Sequence, residues 1–352
     1  MSCRENKSGR RNKMKECIPK NKIEKYSNSE RNDSLKGIQT IKKTNYRIVK
    51  GMSVMGDAPK SIIRLYEYDK HNDYRKRNVC RWPLYIAKTG HKWYPIESIT
   101  EYLLFRLGEV FGLNMAKSSI VNIGGQIRFL SKYFLNGKDE ELVHGADIFA
   151  GYLNDDNNFF VDEIERQSLS QELFTLQFIE KSVEYSFAFK KEEILHDLVK
   201  LLLFDAFVGN NDRHFYNWGV VRSMKQDFLP YFSPVYDTAR GLFWNESEQK
   251  LNRMYEQGCV SSYMVKYCKK SKPKIGWEKI KNVTHFGLVE KIYRNEFYIT
   301  KEEIKLLFLP GILERMKSVV NEDFRLLYSP IRREFINRCL DYRYQEINKI
   351  IV

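Results

Sequence analysis

Asp212-Arg213-His214-Phe215-Tyr216-Asn217 sets a carboxylate five residues ahead of an amide. Ser233-Pro234-Val235-Tyr236-Asp237 returns a second carboxylate after an intervening apolar hairpin. An aspartate can accept the proton of an attacking hydroxyl, while an amide oxygen and a second carboxylate are hard ligands suited to magnesium on a nucleotide's phosphates. Two carboxylates about 4 Å apart repel by about 4 kcal/mol at an effective dielectric of about 20, so holding them together calls for a cation. Taken singly, each part has a plainer use. Gly209-Asn210-Asn211-Asp212 is ordinary turn chemistry, Asp-Arg-His can be a surface ion-pair cluster, and Asn217 and Asp237 could cap backbone. In this order the three point to phosphoryl transfer, with Asp212 as base and Asn217 and Asp237 as metal ligands.

Such residues need rigid elements at their bases. Tyr46 to Val49, Ser61 to Tyr68 and Pro83 to Lys88 read as strands, and Ile99, Leu103, Leu107, Val110 and Phe111 share one helical face that Gly112 closes. Ser119 to Ile123 and Gln126 to Tyr133 read as a hairpin around Gly124-Gly125. From about residue 140 helices dominate. Glu192 to Val208 is amphipathic and is broken by Gly209-Asn210-Asn211. Trp218 to Val221 and Phe228 to Phe232 form a short hairpin. Thr300-Lys301-Glu302-Glu303 is a capping box, and Ser329-Pro330 opens a helix running to about Ile350. A small strand-rich lobe over residues 45–135 and a larger helical lobe over 136–352 give an α+β, two-lobed, protein-kinase-like order.

The chain has 352 residues, 43% hydrophobic and 14% aromatic, enough for packed cores in two lobes. No apolar run approaches the length of a membrane span, and Met1-Ser2-Cys3-Arg4-Glu5 has no apolar leader. Cys3, Cys17, Cys80, Cys259, Cys268 and Cys339 are scattered without a CxxC pair, which fits reduced thiols in a cytoplasm and no zinc site. The net charge is +14, and the first 45 residues carry 13 Lys/Arg against 5 Asp/Glu. Residues 1–44 read as a basic, disordered arm: a solvated tail, or one that touches nucleic acid or another acidic partner.

Phe204-Asp205-Ala206-Phe207-Val208-Gly209-Asn210-Asn211-Asp212-Arg213-His214 with Asn217 resembles the catalytic loop of the HipA-like kinases, and phosphatidylinositol 3/4-kinases share the Asp-Arg-His-x-x-Asn pattern. Ser233 to Asp237 resembles the metal segment of that family, as does the following Thr238-Ala239-Arg240-Gly241-Leu242. The resemblance covers roughly residues 45 to 255. It implies an ATP- and Mg2+-dependent serine/threonine kinase, with Asp212 as base, Asn217 and Asp237 on the metal, and His214 and Arg213 bracing the loop. It also implies Lys88 on the nucleotide phosphates with Glu101 as its partner. Ser98-Ile99-Thr100-Glu101 is, however, itself a capping box, and Glu97 is the other candidate partner. Ser53-Val54-Met55-Gly56-Asp57-Ala58-Pro59-Lys60 is similar to the family's phosphate loop, which would make Ser53 an autophosphorylation site and Gly56 and Lys60 phosphate-contacting, although Asp57 would repel a nucleotide. An aminoacyl-tRNA synthetase or similar protein as substrate, and a small antitoxin as partner, are further implications of the family. A lipid kinase and an inert kinase fold that binds DNA or an antitoxin are the rival readings.

Overall fold

The computed structural model describes residues 17–23, 37–51, 59–68, 75–137 and 139–352. The chain divides into two compact units, residues 1–102 with 117–133, and residues 103–116 with 134–352.

The first unit holds strands β1 (Gln39–Thr40), β2 (Tyr46–Ile48), β3 (Lys60–Leu65), β4 (Leu84–Lys88), β5 (Ser118–Ile123) and β6 (Gln126–Lys132). They form one sheet in the order β1-β5-β6-β4-β3-β2, antiparallel except for the β1–β5 edge pair. Period-two burial builds its core. Ile63 and Leu65 on β3 and Tyr85 and Ala87 on β4 face one cluster with Val121, Ile123 and Leu130, and Ile63 lies opposite Tyr85 in the register. Helix α1 (Ile96–Phe111) starts in this unit, and its residues from Leu103 onward belong to the second.

Helix α1 begins three residues before the Ile99 expected from periodicity. Ser98 and Glu101 therefore lie inside it, and the capping box they suggest does not form. Ser98 Oγ instead accepts from the Gly90 backbone N–H at 3.0 Å.

Part of the expected basic arm is structured. Ile18 is buried in the sheet cluster, and its N–H donates to the Tyr46 hydroxyl at 3.2 Å. Asn21 and Gln126 exchange two hydrogen bonds of 2.9 and 2.8 Å, and fully buried Arg128 donates to the Pro19 carbonyl at 2.7 Å. Asn21 Nδ2 also reaches Thr89 Oγ1, next to Lys88, at 3.1 Å. An apolar anchor flanked by backbone bonds explains why a segment with basic composition docks here. Ser53 and Gly56 lie outside the described residues.

The second unit carries a three-stranded antiparallel sheet of β7 (Glu140–His144), β8 (Gly219–Ser223) and β9 (Tyr231–Phe232). Strand β7 falls where helix was expected. Its helices are α2 (Gly145–Leu153), α3 (Phe159–Arg166), α4 (Ser170–Leu173), α5 (Leu176–Phe187), α6 (Lys191–Val208), α7 (Glu248–Glu256), α8 (Val260–Lys270), α9 (His285–Asn295), α10 (Lys301–Leu307), α11 (Pro310–Ser318) and α12 (Pro330–Ile351). Thr300 and Ser329 cap α10 and α12 as their sequences predict. Every residue of α6 from Leu201 to Val208 is buried, so this helix is the axis of the unit. Phe204 and Phe207 pack their rings against Phe111 and anchor the loop that follows. No helix among the described residues is long and apolar enough to cross a membrane.

Ile18→Ala is expected to lower stability by about 2–4 kcal/mol, the usual cost of truncating a buried isoleucine, whereas Lys20→Ala on the exposed side should be neutral. Denaturant unfolding of the two variants checks this. Equal midpoints would show that the segment contributes nothing to the sheet.

Candidate active site

The site is built outward from Asp205, an acid in the buried half of α6. Its carboxylate takes two bonds from Arg213, from Nε at 2.8 Å and from Nη2 at 3.1 Å, and a third from Asn210 Nδ2 at 2.8 Å. Asp205 and Arg213 are each 1% exposed. The guanidinium has donors left over. Nη1 donates to the carbonyls of Asn217 at 2.7 Å and Tyr236 at 3.2 Å, and Nη2 donates to Thr238 Oγ1 at 2.7 Å. One planar cation thus joins the helix, the 209–217 loop and the 236–238 segment, a task for Arg's fixed fork that a lysine cannot perform.

Gly209 ends α6 in the left-handed region at φ 69°. A Cβ there would strike the buried Arg343 guanidinium at 2.6 Å, and Arg343 donates to the Ala206 carbonyl at 2.7 Å. Beyond this turn, Asn217 Nδ2 donates to the Asp212 carbonyl at 2.8 Å, and the His214 and Asn217 amides donate to the Asp212 and His214 carbonyls at 2.9 Å each. Asp237 has φ 52°, a conformation that Asp tolerates better than most residues. Tyr236 below it donates to the Tyr216 carbonyl at 3.2 Å and meets His144 Nδ1 at 2.8 Å. Asp212, Asn217 and Asp237 are in this way gathered at one locus of the second unit.

Burial pushes the Asp212 carboxyl up, and Asp237 adds to the effect, while Arg240, His214 and Lys274 pull it down. Arg240 Nε lies 3.0 Å from Asp212 Oδ2, and its guanidinium sits 5.3 Å above the Trp244 ring. Burial also lowers the His214 imidazole pKa. Its Nδ1 accepts from the Tyr216 N–H at 3.2 Å, so a neutral ring braces the loop.

Among the described residues no group of three or more His, Cys, Asp or Glu converges to hold a metal. The donor set is an amide and a carboxylate. That is too few for a zinc cage but in keeping with magnesium, which takes one or two protein oxygens and completes its shell with phosphate and water. The amide of Asn217 is oriented through its nitrogen, and among the described residues nothing donates to its oxygen.

In the first unit, Lys88 Nζ lies 2.7 Å from Glu101 Oε1, and both are buried. Glu97 is engaged elsewhere, since its Oε2 accepts from the Lys92 and Trp93 N–H groups at 3.0 Å each. Of the two candidate partners, Glu101 meets Lys88. Lys60 lies opposite Lys88 in the β3–β4 register.

Residues 52–297 match the HipA-like C-terminal domain model. The chain belongs to this family. It is also similar to the solved structure of CtkA, a Helicobacter pylori proinflammatory kinase, with a TM-score of 0.65 and 15% identity over 89% of this chain and 96% of that one. A HipA–HipB–operator DNA complex from Shewanella oneidensis MR-1 matches with a TM-score of 0.46 and 16% identity over 85% of this chain, which spans 65% of that chain. No curated protein matches. The family match and the likeness to CtkA establish the α+β, kinase-like fold of this HipA-like chain.

The geometry adds residues to the site that reasoning from sequence did not single out. Arg240 and Lys274 act on Asp212, and Lys274 is bound by Glu165 at 2.8 Å. Asp205 carried a legible signal, because an acid inside Leu201 to Val208 has to be paired. Lys274 carried none, since its contact arises between residues 109 apart.

Arg213→Ala should be destabilising by about 3–5 kcal/mol, because it strands the Asp205 carboxylate in the core. Arg213→Lys restores the charge without the fork and should recover less than half of that. Thermal or chemical unfolding of the two variants measures both effects, and wild-type stability for Arg213→Ala would remove the clamp from this account.

Proposed function

We propose that this chain is an ATP- and magnesium-dependent kinase that phosphorylates a serine or threonine hydroxyl on a protein. The carrying observation is the Arg213 clamp. By donating to Asn217, Tyr236 and Thr238 together, it holds the loop bearing Asp212 and Asn217 beside the segment bearing Asp237. Asp212 accepts the proton of the acceptor hydroxyl. Burial makes it more basic than an exposed aspartate, which favours proton acceptance near neutral pH. Asn217 and Asp237 would hold magnesium, which when bound neutralises charge on the phosphoryl group being transferred. Lys88, oriented by Glu101, would pair with the α/β-phosphates, and Ser53 is the proposed autophosphorylation site.

Incubating the purified protein with γ-labelled ATP, magnesium and either protein or phosphoinositide acceptors tests the reading and separates it from a lipid kinase. Asp212→Asn is expected to cut transfer to protein by about 10²–10⁴-fold while leaving the unfolding midpoint unchanged or slightly higher, since a partly buried charge is removed. Wild-type rates in this variant would refute the assignment.

The sign of the pH dependence follows from Asp212 acting as a carboxylate. Its activity is lost as pH falls through a pKa above the usual carboxylate range. Arg240→Ala removes a cation that lowers that pKa, so the acid limb of kcat/KM should move to higher pH. An acid limb that stays in place would exclude Asp212 as the titrating group.

A further inference from the structure

Helix α3 carries an exposed aromatic face beside the catalytic loop. Phe159 is 72% and Phe160 53% exposed, while Val161 and Ile164 on the opposite side are buried. The turn before them is held in shape. Asn154, Asn157 and Asn158 all have positive φ, and Asp155 Oδ2 accepts from the Phe160 and Val161 N–H groups at 2.9 and 3.2 Å. Two neighbouring phenylalanines on an ordered turn are an unusual outlay of apolar surface in water.

The face is wired to the site. Tyr216, between Asp212 and Asn217, donates its hydroxyl to Asp162 Oδ1 at 2.7 Å. Asn158 Nδ2 reaches the same hydroxyl at 3.5 Å and Asp147 Oδ1 at 3.0 Å. The charge here also runs against the rest of the chain. Asp155, Asp156, Asp162 and Glu163 share this segment with Arg166, which pairs with Glu163, while Glu165 is already paired with Lys274, in a protein of net charge +14.

We infer that the α3 face docks the acceptor protein, through a segment that sets a bulky apolar residue on Phe159 and Phe160 and places Lys or Arg against the neighbouring carboxylates. The inference rests on the kinase reading and names its substrate class. The acids also set this face apart from a surface for anionic lipid, which would need bases around the aromatics.

The test is a serine/threonine peptide array in which one flanking position at a time is fixed, phosphorylated with labelled ATP by the full chain. Wild type should prefer a Phe, Leu or Met position together with Lys or Arg by about 10-fold over alanine. In Phe159→Ser/Phe160→Ser the apolar preference should fall to near unity, and in Asp156→Lys/Glu163→Lys the basic preference should do the same. Both variants should keep the wild-type unfolding midpoint and magnesium-dependent ATP hydrolysis, since no residue changed belongs to the catalytic set. Transfer by wild type without such preferences, or preferences that persist in the variants, overturns the docking inference while leaving the kinase reading intact. No transfer to any peptide and no hydrolysis of ATP overturns both. Binding to phosphatidylserine vesicles that is lost in Phe159→Ser/Phe160→Ser would assign the face to a membrane and overturn the inference as well.

Discussion

The Asp205–Arg213 pair is the constraint on which the arrangement of the second unit's candidate site depends. Burying two charges is costly, and such a pair is tolerated only where the remaining donors and lone pairs are met. That condition holds here. Asp205 accepts three hydrogen bonds, and the Arg213 donors beyond Asp205 go to Asn217, Tyr236 and Thr238. The desolvation cost is tied to the geometry of the loops, because a loop that moves leaves buried donors unmet. The pair therefore specifies a conformation more than it stabilises a fold.

The same device recurs wherever the chain leaves regular structure. Segments 209–217 and 233–247 have few ladder partners for their carbonyls, and a buried carbonyl needs a donor. Arg332, fully buried on α12, donates to the Phe243 carbonyl at 3.0 Å and to the Glu246 carbonyl, and pairs with Glu248. Arg343, about three turns further along α12 at 3.6 residues per turn, serves the Ala206 carbonyl. Between these clamps Leu242 and Phe243 hold positive φ, a strained state for bulky side chains, and both are completely buried. Helix α12, although far from Asp212 in sequence, thereby helps to set the loops that carry the acids.

What the sequence disclosed divides along the same line. Features decided within a few residues were legible. The caps at Thr300 and Ser329, the hairpin around Gly124-Gly125, the end of α6 at Gly209 and the strand ending in Lys88 all follow from local chemistry. Features decided across the chain were not. Glu140 to His144 lacks alternation, and its five residues are all half-buried. It becomes a strand because β8, much later in the chain, offers it an edge. Ser98 sent a false local signal, since its hydroxyl serves the Gly90 amide. Ile18 read as part of a polar arm because one apolar residue among bases gives no periodicity, yet a single anchor in the sheet cluster suffices to dock it.

The ion pair between Asp212 and Arg240 places two opposed demands on one carboxylate. Under the proposed reading the base must be free enough to take a proton, and a half-buried aspartate that feels Asp237 needs a nearby cation to stay ionised. The Arg240 side chain is 37% exposed, so water screens the pair and its attraction is modest. Trp244 under the guanidinium keeps it in position without adding a second anion. The Arg240 Nε contact is to Oδ2. Under the proposed reading an acceptor hydroxyl meets Oδ1 while Arg240 stays on Oδ2, so the aspartate can receive a proton without first losing the cation that keeps it charged.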